Sequence, residues 1–185
     1  MIGVEDLRKG VTFAHEGQLW RVLEYTHNKQ GRGNATIRIK ARNLRTSATL
    51  EKSFQSGGRV EDIYLDHHEM TYLYHDGDFY YFMDVESFEQ RPIEAKVLGD
   101  AVNFLKENLQ VKVSLYDGEP LDVELPTAVE LKVTESLPGV KGDTATGATK
   151  PATLETGYTV QVPLFVQPGD TLRVDTRTGV YITRV

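Results

Sequence analysis

The 185-residue chain contains no cysteine, which excludes disulfide bonds, thiolate nucleophiles, zinc ribbons and iron–sulfur clusters together. It also has no run that approaches the roughly 18 apolar residues of a membrane-spanning helix. The first ten residues, MIGVEDLRKG, carry acids where a secretory signal would have an apolar core. These absences predict a cytoplasmic protein with no membrane association.

Helical periodicity is scarce as well. Short runs of alternating or β-branched residues, bounded by Gly, Pro, Asp and Asn, recur almost throughout the chain, and this pattern is typical of strands. Only one helix is predicted, over Glu94–Asn108, where an apolar stripe follows Pro92. Because hydrophobic residues make up 39% of the chain, enough to form buried cores, the sequence predicts a folded, all-β protein.

The predicted strands fall into three groups. The first group predicts an SH3-like (KOW-like) barrel over residues 1–63, the second an OB-fold barrel with the one helix over 64–126, and the third another OB-fold barrel over 127–185. The predicted strands are Val11–His15, Gln18–Thr26, Ala35–Leu44, Ala48–Phe54, a strand near Val60–Leu65, Gln110–Tyr116, Leu121–Leu125, Thr127–Ser136, Thr159–Val166, Thr171–Asp175 and Val180–Val185.

Charge is distributed unevenly along the chain. The net charge is −6, which taken alone argues against a nucleic-acid partner. However, the stretch from Tyr25 to Leu50 has no acid and six basic residues, whereas the stretch from Val60 to Gln90 has nine acids and no Lys or Arg. A local positive field on an acidic body favours local contact with RNA over non-specific binding to polyanions.

The basic stretch is predicted to form a hairpin with a projecting loop. Alternation of apolar and polar residues places Arg38, Lys40 and Arg42 on one outward face of a strand. The preceding connection, His27–Asn34, exceeds the two to five residues usual for hairpin loops, and glycines on both sides of Arg32 permit close backbone approach to a partner. The alternative interpretation is a solvated charged loop without a partner.

Other motifs give weaker signals. Gly31-Arg32-Gly33 lacks the third glycine and the following helix of a phosphate-binding fingerprint. The run Leu65–Glu69 has metal-ligating residue types, but neighbouring residues on a strand face opposite ways, so a metal site is not predicted. The tyrosine-rich acidic stretch is expected to serve core packing and partner contact. No catalytic constellation can be assembled, and the protein is predicted not to be an enzyme, with no cofactor and no metal.

Three stretches together resemble bacterial elongation factor P over the whole chain. They are Tyr25–Ala35 (YTHNKQGRGNA), the long segment Gly142–Gly157 (GDTATGATKPATLETG) and the ending Val174–Gly179 (VDTRTG). The resemblance implies an SH3-like barrel followed by two OB folds, arranged as an L-shaped tRNA mimic. It also implies a translation factor that binds the ribosome between the P and E sites and relieves stalling at consecutive prolines.

The resemblance further implies site residues and partners. The partners are the 70S ribosome, the P-site peptidyl-tRNA and mRNA in the E site, and the protein is expected to be a monomer. Gly142, Asp143 and Thr144, in the polar loop Leu137–Pro151, are expected to contact the exit-site codon or the small subunit, with Tyr181 and Arg184 as weaker RNA-contact candidates. Contact with the tRNA CCA end near the peptidyl transferase centre is expected from Asn28, Lys29, Gly31, Arg32, Gly33, Asn34 and Lys40.

Three points stay open at the level of sequence. Arg32 excludes a lysine modification at the loop tip, but it is compatible either with rhamnosylation by an arginine-modifying enzyme or with no modification. The protein could instead be an elongation factor P-like paralogue with another ribosomal or RNA target. It could also be an acidic β scaffold that binds a protein partner through its tyrosine-rich middle domain.

Overall fold

The structure is a computed structural model that describes residues 1–28, 31, 33–139 and 147–185. Within these ranges the chain forms three sheets, one in each third of the sequence. The fold is therefore mostly β, as predicted, with three β-sheet domains. No helix among the described residues is long and apolar enough to cross a membrane.

The first sheet has six strands and includes the predicted basic hairpin. Its strands are β1 (Ile2–Gly3), β2 (Thr12–His15), β3 (Gln18–Asn28), β4 (Thr36–Asn43), β5 (Thr49–Gln55) and β6 (Arg59–Asp62), in the order β1-β6-β2-β3-β4-β5. A short 3₁₀ helix, Val4–Asp6, follows β1. Phe13, Trp20, Ile37 and Ile39 are buried in its core, and burial of each such side chain stabilises the fold by about 1.5–3 kcal/mol.

The second sheet contains five strands and the only α-helix among the described residues. The strands are β7 (Asp66–Asp76), β8 (Phe79–Asp84), β9 (Gln90–Glu94), β10 (Gln110–Tyr116) and β11 (Glu119–Glu124), in the order β11-β10-β7-β8-β9. Helix α1 (Ala95–Leu98) is a single turn and continues into a 3₁₀ helix, Gly99–Phe104.

The predicted helix Glu94–Asn108 is therefore too long. Gly99 adopts φ 54° and ψ −130°, a conformation open to glycine that ends the α-helix. Strand β9, which was not predicted, contains Pro92. It lies at the edge of the sheet, where proline is tolerated because its missing N–H faces no neighbouring strand.

The third sheet contains β12 (Ala128–Ser136), β13 (Thr149–Leu154), β14 (Thr159–Pro163), β15 (Thr171–Asp175) and β16 (Tyr181–Arg184), in the order β14-β13-β12-β15-β16. Strand β13 was predicted as part of a loop through Pro151, and that part of the prediction is wrong. Its composition is polar and it includes a proline, yet its residues alternate between exposed and buried positions and pair with both β12 and β14.

The chain packs into two compact units. One comprises Met1–Asp66 with Ser114–Leu121, and the other comprises His67–Val113 with Asp122–Val185. In the first unit, Leu121 packs in one cluster with Leu19, Leu44 and Ile63. The Arg45 guanidinium also donates to the Glu119 carboxylate in this unit, at 3.0 and 3.3 Å. The compact units thus follow packing rather than the linear ranges expected from the sequence.

In the second unit, the 3₁₀ helix packs against the third sheet. The Thr156 hydroxyl donates to the Asn103 carbonyl at 2.6 Å. The Phe104 ring lies edge-on to the Tyr158 ring at 5.3 Å between centroids, and Phe104 belongs to the same buried cluster as the third sheet's core. The turn between β13 and β14 is thereby fixed to the connection between β9 and β10.

Candidate nucleic-acid interface

Strands β3 and β4 form the long hairpin predicted from the sequence. They pair from Trp20 opposite Asn43 to Asn28 opposite Thr36, so residues 29–35 connect them. Gly31 adopts φ +60°, the left-handed conformation expected of a loop glycine. Gly33 and Asn34 are exposed at this end of the hairpin. Lys29 and Arg32, both predicted contact residues, lie outside the described residues, as does Gln30.

The outward side chains of β3, β4 and β5 form a surface that we call the hairpin face. On β4 the side chains of Ile37, Ile39 and Ala41 point into the core, and those between them are exposed, so the predicted outward stripe is confirmed. Strand register arranges the face in four rows. From the body to the tip, the rows are Arg21–Arg42–Thr49, Glu24–Lys40–Glu51, Thr26–Arg38–Ser53 and Asn28–Thr36–Gln55.

Lys40 lies between two carboxylates. Its neighbours are Glu24 on β3 and Glu51 on β5, and its ammonium lies 3.7 Å from the Glu24 carboxylate. Both acids stand just outside the acid-free stretch of the sequence, one residue before its start and one after its end. Because strand pairing brings them back beside the stretch, Lys40 has less free positive charge than its sequence context indicated.

Arg38 was not among the predicted contact residues, but its surroundings favour contact with RNA. Its neighbours across the two strands are Thr26 and Ser53, neither of which is charged. Within the described part of the chain, Arg38 makes no ion pair. Its planar guanidinium is therefore exposed and suited to bidentate contact with phosphate.

The hairpin face as a whole remains positive. Its four cations, Arg21, Arg38, Lys40 and Arg42, outnumber its two carboxylates, which leaves a net charge of +2. A shallow depression of about 200 Å³ lies on this face and is lined in part by Asn28, Arg38 and Lys40. Two predicted contact residues and Arg38 are thus brought together on one surface.

The second predicted contact region lies in the third domain. Gly142, Asp143 and Thr144 lie outside the described residues, whereas both ends of their loop are described. The loop leaves β12 after Ser136 and returns to β13 at Thr149. The sequence prediction for these three residues therefore stays a prediction.

Tyr181 and Arg184, the weaker candidates, both contact their own domain. Tyr181 is partly buried and packs against the third sheet's core. The Arg184 guanidinium lies over the Phe165 ring, 4.9 Å from its centroid, and 3.6 Å from the Asp170 carboxylate. These contacts reduce what either side chain has available for an external partner.

The histidine-rich run Leu65–Glu69 serves a structural contact. The His68 Nδ1 lies 2.7 Å from the buried Asp84 carboxylate. That carboxylate also accepts hydrogen bonds from the backbone N–H groups of Ser87 and Glu86, and these bonds, together with His68, hold the pKa of Asp84 below its usual range. Among the described residues, no group of three or more His, Cys, Asp or Glu is placed to hold a metal ion.

The aromatic stretch of the second sheet serves both core and surface. Tyr72 and Phe82 are buried, and burial raises the pKa of Tyr72. Tyr74, half exposed, stacks on Tyr81 with ring centroids 4.7 Å apart. Core packing thus accounts for part of the aromatic residues.

Comparison with known proteins identifies close relatives over the full length. Elongation factor P of Moorella thermoacetica is 50% identical over 184 residues, and elongation factor P of Pelotomaculum thermopropionicum is 51% identical over 185 residues, with 100% of each chain covered in both cases. The solved structure of eukaryotic translation initiation factor 5A from Methanococcus jannaschii matches with a TM-score of 0.55 and 17% identity, covering 68% of this chain and 90% of that chain. The latter likeness shows a shared fold alone.

Three family models match successive parts of the chain. The elongation factor P KOW-like domain matches residues 4–60, the elongation factor P OB domain matches 65–123, and the elongation factor P C-terminal domain matches 129–184. The two full-length relatives agree with these matches. The chain therefore belongs to the elongation factor P family of translation elongation factors.

Proposed function

We propose that the protein binds the ribosome between the P and E sites, beside peptidyl-tRNA, and promotes peptide-bond formation at consecutive prolines without being an enzyme itself. The observation that carries this proposal is the hairpin face, a surface of net charge +2 on a chain of net charge −6. It leads directly to the connection that contains Arg32. A positive projection on an acidic body favours local contact with RNA.

The proposed mechanism is positioning. Proline is a hindered nucleophile, and a peptidyl-tRNA that drifts from a reactive geometry reacts slowly. Holding reactants in near-attack alignment can contribute several kcal/mol, and about 1.4 kcal/mol corresponds to a tenfold change in rate. Arg32, with or without a modification, would contact the CCA end of the tRNA, while the ribosomal RNA performs the chemistry.

The remaining residues divide by location. Asn28, Lys29, Gly31, Gly33, Asn34 and Lys40 would contribute to the same contact as Arg32. Gly142, Asp143 and Thr144 would meet the exit-site codon or the small subunit. The proposal also includes a cytoplasmic, monomeric protein with domain ranges 1–63, 64–126 and 127–185.

A purified translation reaction tests this proposal. The message encodes three consecutive prolines, and the yield of full-length peptide is measured with the parent protein, with Arg32→Ala and with Lys9→Ala. Lys9 is an exposed cation of the same domain outside the hairpin face, so its variant controls for the loss of one positive charge.

The expected result is relief of the pause by the parent and by Lys9→Ala, with little relief by Arg32→Ala. A pause that persists with protein purified from its natural source, carrying any native modification, would contradict the proposal. Equal relief by both variants would remove Arg32 from the mechanism.

A further inference from the structure

Lys150 occupies a position where the fold calls for an apolar side chain. On β13, Lys150, Ala152 and Leu154 alternate with more exposed residues and point to the same, inward side. Ala152 and Leu154 belong to the buried core of the third sheet. Lys150 itself is only 7% exposed, so a cation stands at the end of an otherwise apolar row.

The Lys150 ammonium holds the first residue of the loop that leaves β12. Its Nζ donates a hydrogen bond to the Leu137 carbonyl at 2.6 Å. The register that pairs Ser136 with Ala152 would place Pro151 opposite Leu137. Because proline has no N–H to donate, the backbone ladder has no donor there for the Leu137 carbonyl, and the lysine side chain supplies one.

Two further contacts fix the same region, which we call the loop neck (residues 137–139 and 147–150). A Cβ on Gly139 would come within 2.9 Å of the Leu164 carbonyl, so this part of the backbone lies against the residue after β14. On the returning side, the Thr149 hydroxyl donates to the Gln161 side chain at 3.3 Å. Both arms of the neck are thus attached to the third sheet.

Stability alone gives little reason for a lysine at this position. Burying an ammonium is costly unless it is well compensated, and apolar residues of similar volume often replace buried ions at no loss of stability. Methionine has nearly the same length and would continue the apolar row. What methionine would lose is the hydrogen bond to Leu137.

We propose that Lys150 is a positioning residue, which sets the direction in which segment 140–146 leaves the third sheet. Through that direction it governs how Gly142, Asp143 and Thr144 are presented. The presentation step rests on the proposed function of these three residues. The anchoring step rests on the loop neck alone.

The anchoring step is tested by a distance measurement between spin labels. Since the chain has no cysteine, Thr144→Cys and the exposed strand residue Thr183→Cys can be labelled without background. The distance distribution is compared in the parent, in Lys150→Met and in Lys132→Met, where Lys132 is an exposed cation of the same sheet. Lys150→Met is expected to shift or broaden the distribution, while its thermal unfolding midpoint stays near that of the parent.

Gly139→Ala gives an independent perturbation of the loop neck and is expected to change the same distribution. Distributions that superpose in the parent and Lys150→Met would overturn the proposal. So would a large loss of thermal stability in Lys150→Met, because Lys150 would then act as a stabilising residue.

The presentation step is tested in the stalled-translation reaction. Asp143→Ala and Lys150→Met are each expected to weaken relief of the pause about tenfold, well within the hundredfold that a displacement of about 1 Å can cause. The double variant is expected to lose no more than either single variant, since neighbouring residues that act through one another are not additive. Multiplied losses would overturn the proposal. No effect of Asp143→Ala would instead refute the proposed role of the loop and leave the anchoring result standing.

Discussion

Arg38 and Lys40 stand two residues apart on β4, and the structure predicts that they contribute unequally to RNA binding. Arg38 has Thr26 and Ser53 beside it, whereas Lys40 has Glu24 and Glu51. The perturbation is the replacement of each cation by alanine, one at a time. Arg38→Ala is expected to weaken ribosome binding more than Lys40→Ala.

The magnitude follows from charge and distance. At 3.7 Å, the attraction between Lys40 and Glu24 is about 1 kcal/mol in water, and exposed pairs contribute roughly 0–1 kcal/mol. A phosphate must compete with this attraction at Lys40 but not at Arg38. Each full phosphate contact contributes about 0.7–0.9 to the slope of log K against log salt concentration. Arg38→Ala should therefore reduce the slope by about 0.8, and Lys40→Ala by less than half of that.

The assay is binding of fluorescently labelled protein to 70S ribosomes carrying peptidyl-tRNA, repeated over a salt series. Lys9→Ala serves as the control for net charge. Glu24→Gln gives a converse test, because it releases Lys40 and should raise affinity by up to about fivefold, the equivalent of 1 kcal/mol. Equal slope changes for Arg38→Ala and Lys40→Ala, or no gain from Glu24→Gln, would refute the reasoning.

Two further predictions concern stability. Gly179 has φ +71°, and a Cβ there would press on the Tyr158 hydroxyl, which donates to the Gly179 carbonyl at 3.1 Å; Gly179→Ala should therefore lower the free energy of unfolding by about 2–4 kcal/mol, and adding Tyr158→Phe should restore part of it in thermal unfolding. Backbone N–H groups of Ser87 and Glu86 hold the pKa of Asp84 low, so its stabilising effect is present above the unfolded pKa of about 3.9 and is lost as pH falls through the lower folded pKa. Asp84→Asn should be less stable than the parent at pH 7 and less sensitive to acid, and equal acid sensitivity would contradict this.

Strand positions were predicted best where the sequence alternates clearly. The pattern Ala35–Arg42 predicted β4 and the outward direction of Arg38, Lys40 and Arg42, and the structure confirms both. The neighbours of Lys40 were not predicted, because Glu24 and Glu51 lie on other strands and their positions depend on register. That register shifts at an irregularity between Val22 and Glu24, which no local pattern reveals.

Other differences have local causes. The predicted helix was too long since the apolar stripe continues past Gly99, although the backbone at Gly99 leaves the α conformation. Strand β13 was missed because Pro151 and its polar neighbours are typical of loops, while its inward positions include a lysine. Lys150 thus belongs to a class of residue that periodicity cannot identify, a cation whose position in the core is explained only by a long-range acceptor.

The row of Glu24, Lys40 and Glu51 divides the positive charge of the hairpin face into two parts. Arg38 and the predicted tip lie on one side of it, and Arg21 and Arg42 lie on the other. Arg38 and Arg42 are four residues apart on one strand, a separation of about 13 Å. An unbroken basic stripe would hold any RNA backbone at many positions, because phosphate contacts carry no sequence information. Two separated points with carboxylates between them restrict the RNA to backbones whose phosphates reach both, and this restriction favours one docking position over sliding along the hairpin.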